Sequence, residues 1–223
     1  MIEYFNEDCM IGMARYPDKY FDLAIVDPPY GIGAGKEKPH NGWKDYGIKQ
    51  WDNKPPNQDY FNELFRVSKN QIIWGANHFI SKLPIDFSCF LIWDKGQRNF
   101  SLADGEMAWT SFKSSARFFN YSRAKALQEG KIHPTQKPVA LYKWLLTNYA
   151  KQGDTILDTH VGSASSLIAC HDLGFDAVGF ELDPDYYETS KQRLKDHMAQ
   201  MRIETMSNCI SGEDDKPEQI TMW

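Results

Sequence analysis

The chain has 223 residues, of which 42% are hydrophobic and 14% aromatic, and its formal net charge is −5. This length fits one domain with a sizeable core. No apolar run approaches the roughly 18 residues of a membrane helix, the acidic start does not resemble a signal peptide, and the four cysteines are too far apart for a CxxC metal site. We therefore expect a cytoplasmic protein with no membrane partner and no bound metal.

Short apolar runs alternate with helical patterns along the chain. Strands are predicted at residues 22–27, 71–74, 89–93, 106–109, 155–158 and 176–181, and helices at 58–67, 138–149, 163–173 and 185–201. This alternation favours an α/β fold with a mostly parallel sheet and helices on both faces. Residues 1–206 are predicted to form a single domain, and the polar residues 207–223 are expected to be a disordered tail.

Two stretches interrupt the alternation. Residues 31–54 are rich in Gly, Lys and Asn and are long for a loop in a compact domain, which is typical of a functional or mobile segment. Residues 95–132 are basic and aromatic and lack a long helical pattern, and residues 95–137 carry a local charge of +5. The basic stretch is consistent with a DNA-facing surface on an acidic protein, and an ordinary solvated surface is the alternative.

The sharpest chemical signal is the tetrapeptide Asp27-Pro28-Pro29-Tyr30, directly after a predicted buried strand. Strand ends of an open α/β sheet are where ligands bind. Proline has no N–H, so the two prolines fix a backbone whose carbonyls project outward. The Asp27 carboxylate and the Pro28 carbonyl can then accept both hydrogens of an aromatic amino group, while Tyr30 offers a face for stacking. The alternative interpretation is a Pro-Pro turn closed by a core tyrosine.

A second signal is the small-residue turn at 158–166, which connects a predicted strand to a helix. Small residues let the backbone approach a ligand, and the helix N-terminus offers free N–H groups. Glu181, about 20 residues later at the end of the next strand, suits ribose hydroxyls. A third and weaker signal is the polar loop at 133–138. The 158–166 turn alone would also suit a nicotinamide dinucleotide, but it lacks the G-x-G-x-x-G pattern.

Together, in this order, the three motifs strongly resemble the β group of DNA amino-methyltransferases, in which the usual methyltransferase motif order is circularly permuted. That family places D-P-P-Y first, then a target-recognition region, H-P-T-x-K-P, D-P-F-x-G-S-G-T-T and an acidic strand end. Residues 6–9 also resemble its G-D-C segment. The resemblance implies a Rossmann-like methyltransferase fold with a small target-recognition insertion at about 95–132. It also implies S-adenosylmethionine as methyl donor and double-stranded DNA as partner.

The resemblance assigns roles to individual residues. The catalytic residues are Asp27, Pro28, Pro29 and Tyr30. The cofactor-binding residues are Asp8, Cys9, Asp27, His133, Thr135, Lys137, Asp158, His160, Gly162, Ser163, Ser165, Glu181 and Leu182. The DNA-binding residues, taken from the basic stretch, are Lys95, Arg98, Lys113, Arg117, Arg123 and Lys125.

Departures from the family pattern lie in the cofactor loop. Thr159 and His160 stand where Pro and Phe are usual, and Ala164 replaces the second glycine. We expect His160 to be a neutral packing residue. We also expect Ala164 to have a negative φ, because Gly162 remains for the tight turn.

The predicted reaction is direct methyl transfer from S-adenosylmethionine to the N6 amino group of an adenine flipped out of the duplex. A cytosine-N4 methyltransferase is the nearest alternative, although family members of that kind more often carry Ser in place of Asp27. A catalytically inactive DNA-binding relative is the second alternative. The recognition sequence, a homodimer and a paired restriction enzyme are left open by the sequence.

Overall fold

An eight-stranded sheet organises the chain. The computed structural model describes residues 1–35, 49–99 and 103–211, with side chains as far as residue 203. The strands are β1 Ile2–Asn6, β2 Phe21–Val26, β3 Ser68–Trp74, β4 Phe90–Asp94, β5 Gly105–Thr110, β6 Arg117–Asn120, β7 Thr155–Asp158 and β8 Asp176–Glu181. They lie in the order β1-β8-β7-β2-β3-β5-β4-β6. Only β5 runs antiparallel to its neighbours, so the predicted mostly parallel sheet is confirmed.

Helices cover both faces of the sheet. They are α1 Cys9–Met13, α2 Gln58–Val67, α3 Arg123–Gln128, α4 Val139–Tyr149, α5 Ser165–Leu173 and α6 Pro184–Ser211, with 3-10 turns at Ala76–His78 and Ile80–Lys82. Side chains alternate along each strand, so β2 presents Leu23 and Ile25 to the core that includes α4 and α5. Its Ala24 and Val26 pack in the opposite core, with α1 and α2. The result is a three-layer α/β arrangement. Within the described ranges, no helix is both long and apolar enough to cross a bilayer.

The centre of the sheet contains a change in winding direction. Strand β7 lies beside β2, with Leu23 opposite Ile156 and Ala24 opposite Leu157. The chain leaves β7 through α5 toward β8 on one side, whereas it leaves β2 through α2 toward β3 on the other. Crevices at such switch points, outside the carboxyl ends of the strands, are where open α/β sheets bind ligands. The Asp27 tetrapeptide and the 158–166 turn both follow strands that end here.

The structure adds elements that the sequence patterns did not predict. Strand β1 and helix α1 precede the first predicted strand, and β6 and α3 lie inside the predicted insertion. Strand β5 of that insertion lies between β3 and β4, so part of the segment belongs to the main sheet. Helix α6 continues past the predicted end at residue 201 and includes residues 207–211. The rest of the predicted tail (212–223) and residues 36–48 of the predicted loop lie outside the described residues.

Candidate active site

A cavity of about 690 Å³ opens at the carboxyl ends of β1, β2, β7 and β8. Its volume lies within the usual range for small-molecule and cofactor sites. Eleven of the thirteen predicted cofactor residues line it: Asp8, Cys9, Asp27, His133, Thr135, Lys137, His160, Gly162, Ser163, Glu181 and Leu182. The second half of the predicted long loop also contributes, through Gln50, Trp51 and Lys54.

The two remaining predicted cofactor residues lie behind the wall of the cavity and support it. Asp158 is buried and accepts hydrogen bonds from the Ser166 hydroxyl at 2.5 Å and the His160 N–H at 3.0 Å. Burial raises the pKa of Asp158 to about 7. The Ser165 hydroxyl accepts from the Arg193 guanidinium at 3.0 Å. These contacts fix the loop between β7 and α5.

The conformation of Ala164 differs from the one expected. Its φ is 62°, in the left-handed region, and it forms the N-cap of α5. The predicted negative φ was therefore wrong. The turn contains two left-handed residues on either side of Ser163, Gly162 (φ 56°) and Ala164. Only glycine adopts this conformation without a steric cost. A left-handed alanine costs about 1–2 kcal/mol, and burial of its methyl group in the core offsets part of this cost.

Glu181 joins the cofactor loop to the end of β8. One carboxylate oxygen accepts the Gly162 N–H at 2.8 Å, and the other accepts the Asp183 N–H at 2.9 Å. Burial raises the pKa of Glu181, and these two N–H groups oppose that rise. A carboxylate can accept about four hydrogen bonds, so Glu181 retains acceptor capacity for a ligand.

The two histidines of the cavity wall are neutral. Burial lowers the pKa of His133 to about 3 and that of His160 to about 4. His160 Nδ1 lies 2.9 Å from the Thr159 hydroxyl, which in turn lies 2.7 Å from the Tyr60 hydroxyl. The departures at positions 159 and 160 thus form a hydrogen-bonded chain with α2. The neutral His160 agrees with the expectation, although it also makes this polar contact.

Asp27 of the tetrapeptide belongs to a group of four charged side chains. Lys137 Nζ contacts the Asp27 carboxylate and lies 3.0 Å from Glu106 Oε2, and Lys95 Nζ lies 2.6 Å from Glu106 Oε1. The Tyr30 hydroxyl donates to Asp27 Oδ1 at 2.6 Å. We call Lys95, Glu106, Lys137 and Asp27 the charge cluster. It contains two cations and two carboxylates, and Lys137 is only 1% exposed.

The pKa values in the charge cluster follow from burial and pairing. Burial raises the pKa of Asp27, and Lys137 opposes this rise. Burial acts the same way on Glu106, but Lys137 and Lys95 outweigh it and hold the pKa of Glu106 at about 2. Burial would lower the pKa of Lys137, but the two carboxylates raise it. Lys137 is therefore charged at neutral pH, and Asp27 is the carboxyl that gains a proton first on acidification.

The Tyr30 ring is held between a glycine and a histidine. A Cβ on Gly75 would lie 1.9 Å from the ring, so only glycine leaves room for it there. The His78 ring stacks on Tyr30 with a centroid distance of 4.9 Å and an interplanar angle of 13°. His78 is exposed. A base that stacks on this face of Tyr30 therefore requires His78 to move.

The predicted DNA-binding residues have different surroundings. Lys95 belongs to the charge cluster, and Arg98 makes a bidentate pair with Asp94 at 2.9 and 2.7 Å. Lys113, Arg117 and Lys125 are exposed, and Arg117 lies on the edge strand β6. Arg123 is half-buried at the start of α3.

Several residues of the site were not predicted. Glu106 at the start of β5 contacts Lys137, Tyr60 of α2 lines the cavity, and His78 covers Tyr30. Lys137 was predicted to bind the cofactor, and the structure shows it in contact with the carboxylate of Asp27. Neither the polar loop that carries Lys137 nor the sequence around Glu106 contains a local signal of this buried ion pair, because tertiary contacts bring the two residues together.

Comparison with known proteins relates this geometry to a family. Residues 71–192 match the family of N6 and N4 methyltransferases described as DNA methylase. The type II methyltransferase M.HpaI of Haemophilus parainfluenzae is 26% identical over 233 aligned residues, which cover 82% of this chain and 71% of that protein. M.HinfI of Haemophilus influenzae is also 26% identical, over 85% of this chain and 67% of that protein.

Solved structures share the fold at low identity. The M1.HpyAVI–SAM complex has a TM-score of 0.57 and 19% identity, over 86% of this chain and all of that one. The cytosine-N4-specific PvuII DNA methyltransferase has a TM-score of 0.59 and 12% identity, over 88% of this chain and 90% of that one. The family match covers more than half of the chain and includes the 133–138 and 158–166 motifs. This chain therefore belongs to the N6/N4 family of DNA methyltransferases, which use S-adenosylmethionine as methyl donor.

Proposed function

We propose that this protein methylates the N6 amino group of adenine in double-stranded DNA. The observation that carries this proposal is that Asp27 and the cofactor loop line one cavity at the switch point of the sheet. The tetrapeptide lies outside the residues that match the family, so its role rests on the geometry and on its resemblance to D-P-P-Y.

The residues of the cavity suit S-adenosylmethionine. Glu181 has acceptor positions free for the ribose hydroxyls, and Asp8 lies at the same wall for the adenine. The neutral rings of His133 and His160 offer apolar contact area without competing positive charge. When bound, this cofactor supplies an electrophilic methyl group.

The target amino group is inaccessible inside a duplex, so the base is flipped out and enters beside Asp27. The Asp27 carboxylate and the Pro28 carbonyl accept the two amino hydrogens, which makes the nitrogen lone pair available for attack. Tyr30 stacks on the base once His78 moves from its ring. Asp27 acts as a hydrogen-bond acceptor, and most of the rate enhancement comes from positioning and from the field around the nitrogen.

Adenine is favoured over cytosine because position 27 holds an aspartate. The comparisons include a cytosine-N4-specific structure, and cytosine is therefore the rival substrate. Nucleoside mass spectrometry of DNA methylated by the purified protein distinguishes the two products. We expect N6-methyladenine, and a product that contains only N4-methylcytosine would overturn the choice of base.

A catalytically inactive DNA-binding relative is the second candidate, favoured by the left-handed Ala164 in the cofactor loop. Calorimetric titration with S-adenosylmethionine, with NAD as the control ligand, tests it. We expect S-adenosylmethionine to bind and NAD not to bind. No detectable binding at millimolar cofactor with DNA present would support the inactive relative.

The DNA is proposed to lie against the exposed cations Lys113, Arg117 and Lys125, with Arg123 beside them. Phosphate contacts of this kind orient a duplex without reading its sequence. A homodimer and a paired restriction enzyme stay open alternatives.

A further inference from the structure

We propose that Glu106 and Lys95 are positioning residues for methyl transfer, which act through Lys137 on the availability of the Asp27 carboxylate. This inference rests on the proposed function, since it assumes that Asp27 accepts the target amino group. It gives Lys95 a role other than the predicted contact with DNA.

The geometry places Lys137 between two competing carboxylates. Its ammonium group contacts Asp27 and lies 3.0 Å from Glu106 Oε2. The other Glu106 oxygen is engaged by Lys95 at 2.6 Å, and both side chains are about four-fifths buried. A continuous series of ion pairs therefore connects Lys95, in the loop after β4, through Glu106 of β5 and then Lys137, to Asp27 at the end of β2.

This sharing matters because Lys137 and the target amino group compete for the same oxygens. If Lys137 were bound to Asp27 alone, it would occupy lone pairs that the amino hydrogens need. Glu106 gives Lys137 a second acceptor, so that Asp27 can turn to the substrate while its own charge stays compensated. Lys95 limits this effect because it neutralises part of the Glu106 charge.

Other titratable groups also face the cluster. Asp27 interacts with Tyr30 in its own turn, Tyr142 of α4, Tyr60 of α2 and Asp158 at the end of β7, and Glu106 interacts with Lys131. The tyrosines have pKa values raised by burial, so they stay neutral in the working pH range. Asp158 and Lys131 are unchanged in the variants below. Differences in pH dependence between the variants therefore report changes within the charge cluster.

The test compares two variants with opposite expected effects. Glu106→Gln keeps the shape but removes the charge that raises the pKa of Asp27, so the acid limb of the kcat profile moves to lower pH. Lys95→Met leaves the Glu106 charge less compensated, so the acid limb moves to higher pH. We expect shifts of about one pH unit in each direction. In Glu106→Gln we also expect kcat to fall about tenfold, which is less than the loss expected when a group that contacts the reacting atoms is removed. The KM for the cofactor should be unchanged.

Glu63→Gln is the matched control, because Glu63 is similarly buried and pairs with Arg66 on α2, away from the cavity. It should leave both kcat and the pH profile unchanged. Equal shifts in the same direction, or no shift, for Glu106→Gln and Lys95→Met would overturn the proposal.

Carboxyl NMR titration of Asp27 provides a readout that does not need activity. The pKa of Asp27 should fall in Glu106→Gln and rise in Lys95→Met. If the wild-type protein transfers no methyl group, the proposed function fails. The NMR titration then still decides whether Glu106 and Lys95 control Asp27, and an unchanged Asp27 pKa in both variants refutes that control.

Discussion

Replacement of Lys137 by methionine should destabilise the protein strongly. Methionine fills a similar volume but carries no charge, so Glu106 would keep Lys95 as its partner while Asp27 would lose the ammonium group that contacts it. At the 3.0 Å separation from Glu106 and an effective dielectric constant of about 20, one such pair amounts to about 5 kcal/mol of attraction. Desolvation of the charges offsets part of it. Removing one partner from a buried pair costs about 3–5 kcal/mol, because the remaining charge is uncompensated.

Such a loss is a large share of the roughly 5–15 kcal/mol that holds a domain folded. Denaturation in urea, followed by circular dichroism, measures it directly. Lys69→Met is the matched control: Lys69 pairs with Asp22 at 2.6 Å, but the two side chains are 52% and 26% exposed. Exposed pairs contribute about 0–1 kcal/mol, so the control should lose little.

Two further results separate charge from packing. The double variant Lys137→Met/Asp27→Asn restores neutrality and should regain most of the lost stability. The defect of Lys137→Met should also shrink as the pH is lowered. Without the lysine, the folded-state pKa values of the two carboxyls rise above their unfolded values, so proton uptake favours the folded state at low pH. A loss below about 1 kcal/mol, or one that is independent of pH, would refute this reasoning.

Four other outcomes follow from the structure. Asp27→Ala should abolish methyl transfer while calorimetry still detects cofactor binding, and retention of a tenth of wild-type turnover would contradict its role. Replacing Arg117, Arg123 and Lys125 with Gln should flatten the salt dependence of DNA binding by about 0.9 in log–log slope per lost phosphate contact, and an unchanged slope would place the DNA elsewhere. Ala164→Gly should change unfolding free energy by less than about 1 kcal/mol, because relief of the left-handed backbone is offset by the lost methyl and the freer unfolded chain. Ala164→Val should be destabilised by about 2 kcal/mol in the same denaturation assay, and a fully stable Val variant would argue against the left-handed φ.

The sequence patterns predicted the strands and helices whose residues carry a regular local pattern of hydrophobicity. The apolar run of β2 and the helical period of α2 are visible in the sequence, and the observed α2 coincides with residues 58–67. The edge strand β6 was missed because its residues are mostly exposed and its pairing with β4 is decided by tertiary contacts. Strand β1 was missed for a similar reason, since only part of its surface is covered.

The residues of the site divide in the same way, into those that a local motif identifies and those that only tertiary contacts bring in. Asp27, Glu181 and the 158–166 turn lie at the carboxyl ends of strands, and a motif at a strand end identifies them. Glu106 stands 79 positions after Asp27 and reaches the site only because β5 inserts antiparallel beside β3. No spacing rule encodes that insertion. The φ of Ala164 was likewise unpredictable from composition, because the turn imposes a conformation that alanine alone avoids.

The neutrality of the charge cluster restricts how this enzyme can diverge. A serine at position 27 would leave an excess cation in a buried site. The cluster would then need a second substitution, at Lys137 or at Lys95, before or soon after the first. Substitutions at positions 27, 95, 106 and 137 are therefore energetically coupled. A single change of charge is disfavoured, and a compensating pair of changes is tolerated. These four positions should therefore vary together among descendants of this chain.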